Sequence, residues 1–424
     1  MRYEKISPAL FIKNRKKVHL STSEIAIFTS NDPLPSNADG VFGFIQNSNF
    51  FYLTGIDQED CYLIINPFAQ KDKDREILFV RETNEKIKVW EGEKLSMEEA
   101  SEISGIENVK WATEFWSVLE EILKGKTTVC FHQDISQGKG TAFRSKEKYL
   151  LTQVKRKFTG INTKNISESL NNARQIKESE EIELIRKAIK ITGKGLQYAA
   201  QNLIPGKMEY EIEADLSYIF LKNKSRHHAF EPIVASGKNA CVLHYVSNND
   251  PCKSVEMVLL DFGAEYGNYK GDMTRVLPVS GKFSERQREV YESVLEVFYK
   301  IRKQMVSGNT IQNLKKETQH LIGNELVKLK ICTKNELKNN PKILLKYFPH
   351  GVCHHLGLDV HDVGDREIPL APNMVLTCEP GIYIPEENLG IRLENDILIT
   401  ENGNIDLMEG IPLEVDEIEK MMKK

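Results

Sequence analysis

The chain has 424 residues, 40% of them hydrophobic and 28% charged, with a formal net charge of −4 and a pI near 6.3. That length accommodates two or three domains of roughly 150 residues each, and the balance is that of an ordinary globular protein. A weakly acidic surface has no global positive field with which to hold nucleic acid or an anionic membrane.

The first residues, MRYEKISPALFIKNRKK, carry charges where a secretion signal needs an apolar core. No apolar run reaches the roughly 18 residues that span a bilayer. Cysteines at 61, 130, 241, 252, 332, 353 and 378 form no CxxC pair. That scatter points to reduced thiols in the cytoplasm, not to a disulfide scaffold or a thiolate zinc site. Ser7-Pro8 reads as the cap and first position of a short helix, and the basic run Lys13–Lys17 is expected to be its solvated face. Strands are expected at Glu24–Thr29, Phe50–Leu53, Cys61–Asn66, Ile77–Val80 and Thr127–His132, with helices near Met97–Ile103 and Phe115–Leu123. Polar, turn-rich Thr159–Asn172 is the expected junction, so the domains are placed at residues 1–172 and 173–424.

From Ser179 the period becomes helical, with Ile182, Ile185 and Ile189 on one face, and a second helix is expected from about Tyr210 to Leu221. Short apolar runs at Pro232–Val234 and Val242–Tyr245 precede two hairpins separated by two more helices. The first of those helices opens with Ser284-x-x-Gln287, a capping box; the other runs from about Asn309 to Leu329.

Each hairpin presents two carboxylates. In the first, Met257–Gly263 and Tyr269–Pro278, Asp261 and Asp272 lie equally far from the midpoint between Tyr266 and Gly267. A turn centred there sets them face to face with Cβ atoms about 5 Å apart; a bulge or a different loop would shift that register. In the second, Met374–Glu379 continues through Ile382–Pro385 and returns as Ile391–Thr400, with Glu379 and Glu394 symmetric about Glu386-Glu387. A single strand carboxylate usually points to solvent. Two facing pairs on apolar strands destabilise a sheet, which implies a metal site or a carboxylate dyad sharing protons.

Between the two hairpins lies Phe348–Gly364, with His350, His354, His355 and His361 interleaved with Gly351, Gly357 and Gly364. One histidine with four carboxylates makes an oxygen-rich donor set suited to Mn2+, Co2+ or Fe2+, with Zn2+ also accommodated. Two such ions about 3.5–4 Å apart bind and deprotonate a shared water.

Four runs, DFGAEYGNYKGDMTR (261–275), HGVCHHLGLDVHDV (350–363), EPGIY (379–383) and RLEND (392–396), resemble the pita-bread metallopeptidases of family M24, above all the aminopeptidase P group and next the prolidases. PIVASGKNACVLHY (232–245) and NSNFFYLTG (47–55) extend the resemblance over nearly the whole chain. It implies an α/β (α+β) protein in which a creatinase-like N-terminal domain precedes a pita-bread catalytic domain. It also implies two divalent metal ions, Mn2+ first. Asp261 would chelate one, Asp272 and Glu394 would bridge both, and His354 and Glu379 would complete the second. His354 fits the HGxxH spacing, which leaves His355 as a wall or surface residue.

Further roles follow from the same resemblance. Glu379 would assist deprotonation of the bridging water, and His361 and His244 would hydrogen-bond near the scissile carbonyl. His350 and Arg392 would shape the proline subsite, with Tyr383 beside the bound substrate; Asp39 and Trp90 match N-terminal-domain positions more loosely. The implied reaction is release of the first residue from a peptide with proline second, by a metal-bridging hydroxide. The implied assembly is a homodimer or homotetramer. A prolidase restricted to Xaa-Pro dipeptides and a non-catalytic pita-bread scaffold are the alternatives.

Overall fold

The computed structural model describes residues 3–21, 24–124, 128–133 and 145–423. It divides into two compact units, one ending at Arg174 and the other beginning at Gln175.

The first unit is built on a six-stranded mixed sheet. Its strands are β1 (Glu24–Thr29), β2 (Tyr62–Ile65), β3 (Glu76–Val80), β4 (Asn108–Trp111), β5 (Thr128–Phe131) and β6 (Asn162–Asn165), in the order β4-β3-β2-β1-β5-β6. All six residues of β1 are buried, as expected of a central strand covered on both faces. Ile25, Ile27, Phe79, Val129 and Phe131 share a core with Phe115, Leu119, Leu150 and Val154 from helices Phe115–Leu123 and Lys146–Lys157. Thr127, the first residue of the fifth expected strand, lies outside the described residues.

Two expectations fail here, and the expected junction segment carries regular structure of its own. Phe50–Leu53 belongs to the helix Ser48–Thr54, not to a strand. The Asn47 side chain accepts the Phe50 N–H, and Gly55 ends the helix at φ +69°. Asn49 through Thr54 are all buried, so no amphipathic period existed to be read. The supposed junction holds β6 and the start of the helix Ser167–Gln175; β6 is a polar strand at the sheet edge, where exposure removes the apolar signal. The basic run is also only partly solvated. Asn14 and Arg15 are buried, and Arg15 pairs with Glu76 at 2.9 Å while donating to the Leu53 and Ser104 carbonyls.

The second unit surrounds its strands with helices Ser179–Asn202, Glu209–Lys222, Glu285–Arg302 and Ile311–Lys328. The Ser284–Gln287 capping box forms as expected. The strands are β7 (Ile233–Ser236), β8 (Met257–Phe262), β9 (Glu265–Tyr266), β10 (Tyr269–Lys270), β11 (Met273–Pro278), β12 (Val375–Cys378), β13 (Gly381–Ile384), β14 (Leu389–Arg392), β15 (Asn395–Thr400) and β16 (Gly403–Asp406). They form the sheets β11-β8-β7 and β12-β15-β16 and the ribbons β10-β9 and β13-β14.

The first hairpin does not have the expected register. Tyr266 pairs with Tyr269, and Asp261 opposes Thr274 instead of Asp272. The cause is the turn. Gly267 and Asn268 both have positive φ, 60° and 68°, the conformation that a two-residue hairpin turn demands. The ladder is therefore displaced by two residues. An even displacement keeps every side chain on its face, so Asp261 and Asp272 become diagonal neighbours on one face. The second hairpin keeps the expected register: Gly381 pairs with Arg392 and Cys378 with Asn395, so Glu379 and Glu394 sit opposite one another where β12-β15 gives way to β13-β14.

Candidate metal centre

The two hairpins are fastened edge to edge. The Glu394 N–H donates to the Thr274 carbonyl at 3.2 Å. Arg275, fully buried, donates from Nη1 to the Thr274 and Glu394 carbonyls, from Nη2 to Asn395 Oδ1 and from Nε to the Pro412 carbonyl. The histidine segment joins them by running antiparallel to β12. Glu379 N–H donates to the Val352 carbonyl, Thr377 N–H to that of His354, and Leu356 N–H to that of Val375. Residues 352, 354, 377 and 379 thus share a face, and His354 and Glu379 meet.

These contacts enclose a cavity of about 410 Å³ lined by Asp261, Asp272, His354, Glu379 and Glu394, and by His244, His350, His361 and Arg392. His354 Nε2 lies 3.5 Å from Asp272 Oδ2 and 3.7 Å from Glu379 Oε1. One ligand atom each from Asp272, His354 and Glu394 fall within 4.8 Å of one another. His354 Nδ1 stands 3.0 Å from the His355 carbonyl. A carbonyl only accepts, so Nδ1 carries the proton and Nε2 offers its lone pair to the cavity.

The electrostatics call for a cation. Burial pushes the Asp272, Glu379 and Glu394 carboxyls well above their usual range. The neighbouring carboxylates push them further: Asp261 acts on Asp272, Glu394 on Glu379, and Asp272 and Asp261 on Glu394. Asp261 Oδ1 and Asp272 Oδ1 are buried with no hydrogen-bond partner among the described residues, a costly state for carboxylate oxygens unless a positive charge compensates it. The donor set therefore fits divalent cations that prefer oxygen.

Beside the carboxylates runs an ordered chain of donors. Arg392 binds Asp261 Oδ2 through Nη2 at 2.5 Å, Thr274 Oγ1 through Nε at 3.0 Å, and Tyr383 Oη through Nη1 at 2.8 Å. Tyr383 Oη is 2.7 Å from His350 Nε2, and His350 Nδ1 is 2.6 Å from the Gly351 carbonyl. Nδ1 must donate to that carbonyl, so Tyr383 donates to Nε2 and the ring is neutral. Burial, then the Arg392 charge, holds the His350 imidazolium down to about 3. His361 is partly open to solvent. Burial of the rest of its ring, with His354 and His244 nearby, lowers its pKa to about 4, and it stands edge-on to His354 with centroids 4.3 Å apart.

Tyr383 is placed behind the cavity wall, on His350 and Arg392. His355 is buried, bridged to Leu376, with its ring against Gly364. Asp39 is exposed and Trp90 is 79% exposed, both within the first unit. Sequence reasoning missed Thr274, which donates to Glu394 Oε2 at 2.6 Å while accepting from Arg392. It also missed Asp396, which accepts the Asp272 N–H at 3.1 Å. Both lie two residues beyond a carboxylate in its own strand direction, so the period of two was the available signal.

A pita-bread arrangement of hairpins around an oxygen-rich cavity defines a metallopeptidase. Residues 183–401 match the model of metallopeptidase family M24, and residues 11–131 match the aminopeptidase P N-terminal domain. The Xaa-Pro aminopeptidase of Haemophilus influenzae is 35% identical over 404 residues, covering 91% of this chain and 90% of that protein. Xaa-Pro aminopeptidase 3 of Homo sapiens is 32% identical over 422 residues, covering 94% and 81%. The structure of Escherichia coli aminopeptidase P with the inhibitor Pro-Leu superposes at TM-score 0.88 and 30% identity, covering 99% of both chains. The chain belongs to metallopeptidase family M24, with an aminopeptidase P N-terminal domain ahead of the pita-bread domain, and is a metallo-exopeptidase.

Proposed function

We propose that the protein releases the first residue from peptides whose second residue is proline. The observation that carries this reading is the single cavity in which four carboxylates and His354 face the Arg392–Tyr383–His350 array. In it, Asp261, Asp272, His354, Glu379 and Glu394 would hold two divalent ions, Asp272 and Glu394 serving both, Asp261 one, and His354 with Glu379 the other. Mn2+ is the first candidate, and Co2+, Fe2+ and Zn2+ also suit the donors. When bound, such a pair of ions activates water and polarises the scissile carbonyl.

The chain's own groups do the rest. An Xaa-Pro bond is a tertiary amide with no N–H to recognise, and its leaving nitrogen, like that of any amide, must receive a proton. Glu379, which lines the cavity, would take it from the water as a carboxylate and deliver it there. His361 and His244 donate to the carbonyl oxygen as charge develops on it. His350 and Arg392 shape the proline subsite, and Tyr383 holds both in place beside the substrate. Relatives named Xaa-Pro aminopeptidase favour this over the prolidase reading.

The deciding experiment compares Xaa-Pro-Yaa with Xaa-Pro after chelator treatment and Mn2+ addition. Release of Xaa from the longer peptide is expected; cleavage of the dipeptide alone would refute the assignment. Among the described residues no helix is long and apolar enough to cross a membrane, and all seven cysteines are free. The free thiols support a cytoplasmic location, to be checked by fractionation. A homodimer or homotetramer is the assembly proposed, to be read by light scattering, and limited proteolysis tests the division at residues 172 and 173.

A further inference from the structure

We propose that Lys177 and Asp362, which no part of the reading above uses, form a positioning pair that aims His361 and His354 into the cavity. Lys177 Nζ lies 2.9 Å from Asp362 Oδ2, and each side chain is only 1% exposed. Removing two charges from water costs more than their attraction regularly returns, so a buried pair is a weak device for stability. What it does provide is a fixed geometry.

The segment it grips has little regular structure of its own. Residues 356–364 contain no helix or strand, yet they carry His361. Their path is set by a few contacts. The Asp362 N–H donates to the His355 carbonyl at 2.9 Å, and that same oxygen takes the His354 Nδ1 proton. One carbonyl thus ties Asp362, the chain neighbour of His361, to the tautomer of His354. The Asp362 carboxylate rests on the bare Cα of Gly357, where a Cβ would lie 2.2 Å from Oδ2 and 3.1 Å from Lys177 Cε. Lys177 is held in turn by its own N–H, which donates to the Asn373 carbonyl at 2.9 Å. The pair therefore closes a loop from the start of the second unit, through Asp362 and the His355 carbonyl, to the edge-on contact of His361 with His354.

The proposal rests on His361 contacting the substrate, so its test includes a measurement that needs neither metal nor peptide. The apolar double variant K177M/D362L roughly keeps the side-chain outlines and removes both charges, and it should fold with a melting temperature close to the parent's. In the metal-free protein, ring 15N spectra should show His354 losing its single Nδ1-protonated tautomer. In enzyme kept at saturating metal, which offsets any weakening at the His354 ligand, KM should stay near the parental value while kcat falls about 100-fold, the scale of an ångström-sized misplacement. In an H361A background the same double change should cause little further loss. G357A, whose added Cβ would crowd Asp362 Oδ2 and Lys177 Cε without removing either charge, should reproduce both effects and serves if the double variant does not fold.

Unchanged ring spectra and kcat would overturn the proposal. So would a loss that multiplies with that of H361A at saturating metal, because that marks a merely structural role. A parent protein that cleaves no Xaa-Pro peptide would count against the functional reading alone, since the ring spectra would still report on the pair.

Discussion

Thr274→Val removes one oxygen from beneath the centre and changes little else. Thr274 is fully buried, and valine has nearly its shape. Its hydroxyl donates to Glu394 Oε2 at 2.6 Å and accepts from Arg392 Nε at 3.0 Å. Both bonds involve an ionised partner, so each is worth about 1.5–3 kcal/mol. Relaxation of the arginine recovers part of that sum. Loss of a hydrogen bond that orients a metal ligand weakens metal binding about 10–100-fold, or about 1.4–2.7 kcal/mol at 1.36 kcal/mol per decade. Titration of the chelated protein with Mn2+ by calorimetry reads the affinity directly, and initial rates on an Xaa-Pro-Yaa peptide at limiting Mn2+ should fall in parallel. Thr274→Ser keeps the hydroxyl and should recover most of the affinity. Unchanged Mn2+ affinity in T274V, or a T274S variant as impaired as T274V, would refute the role assigned to this oxygen.

Arg275→Met removes four hydrogen bonds that staple the two hairpins; a destabilisation of about 3–5 kcal/mol is expected from the orphaned acceptors, read as a lower urea midpoint together with weaker metal binding. Chelation should make stability depend on pH. The carboxyls of Asp272, Glu379 and Glu394 are raised in the folded protein, so the folded state holds more protons than the unfolded one above the unfolded values of about 3.9–4.3. The metal-free protein should accordingly gain stability as pH falls from neutrality toward that range. The gap in melting temperature between loaded and chelated protein should then be larger at pH 8 than at pH 5, and an equal gap at both would count against a carboxylate-held cation. In the first unit, Gly55→Ala combines a left-handed φ of 69° with a Cβ placed 2.2 Å from the Phe11 ring. Strain and overpacking together should cost about 2–4 kcal/mol, visible in thermal melting while the metal affinity of the second unit is kept.

Much of this protein was legible before any coordinates. The capping box at Ser284, the buried strand at Glu24–Thr29 and the symmetry of Glu379 with Glu394 are local facts, because a cap, an apolar run and a four-residue turn act over a few neighbours. Phe50–Leu53 was misread because a helix buried all round has no polar face, and apolar density alone does not separate the two periods. In the first hairpin the equal distances of Asp261 and Asp272 from the turn put them on a common face, while the positive φ at Gly267 and Asn268 chose which residues oppose each other. Only the tertiary structure could bring Thr274 under Glu394, Arg275 across both hairpins and Lys177 against Asp362, which lie 120, 119 and 185 residues apart. Those partners meet because separate elements pack together, and no local period or spacing encodes that meeting. Sequence thus determined the chemistry on offer, a set of carboxylates and histidines on known faces; packing decided which of them share one cavity and which neighbours hold them in place.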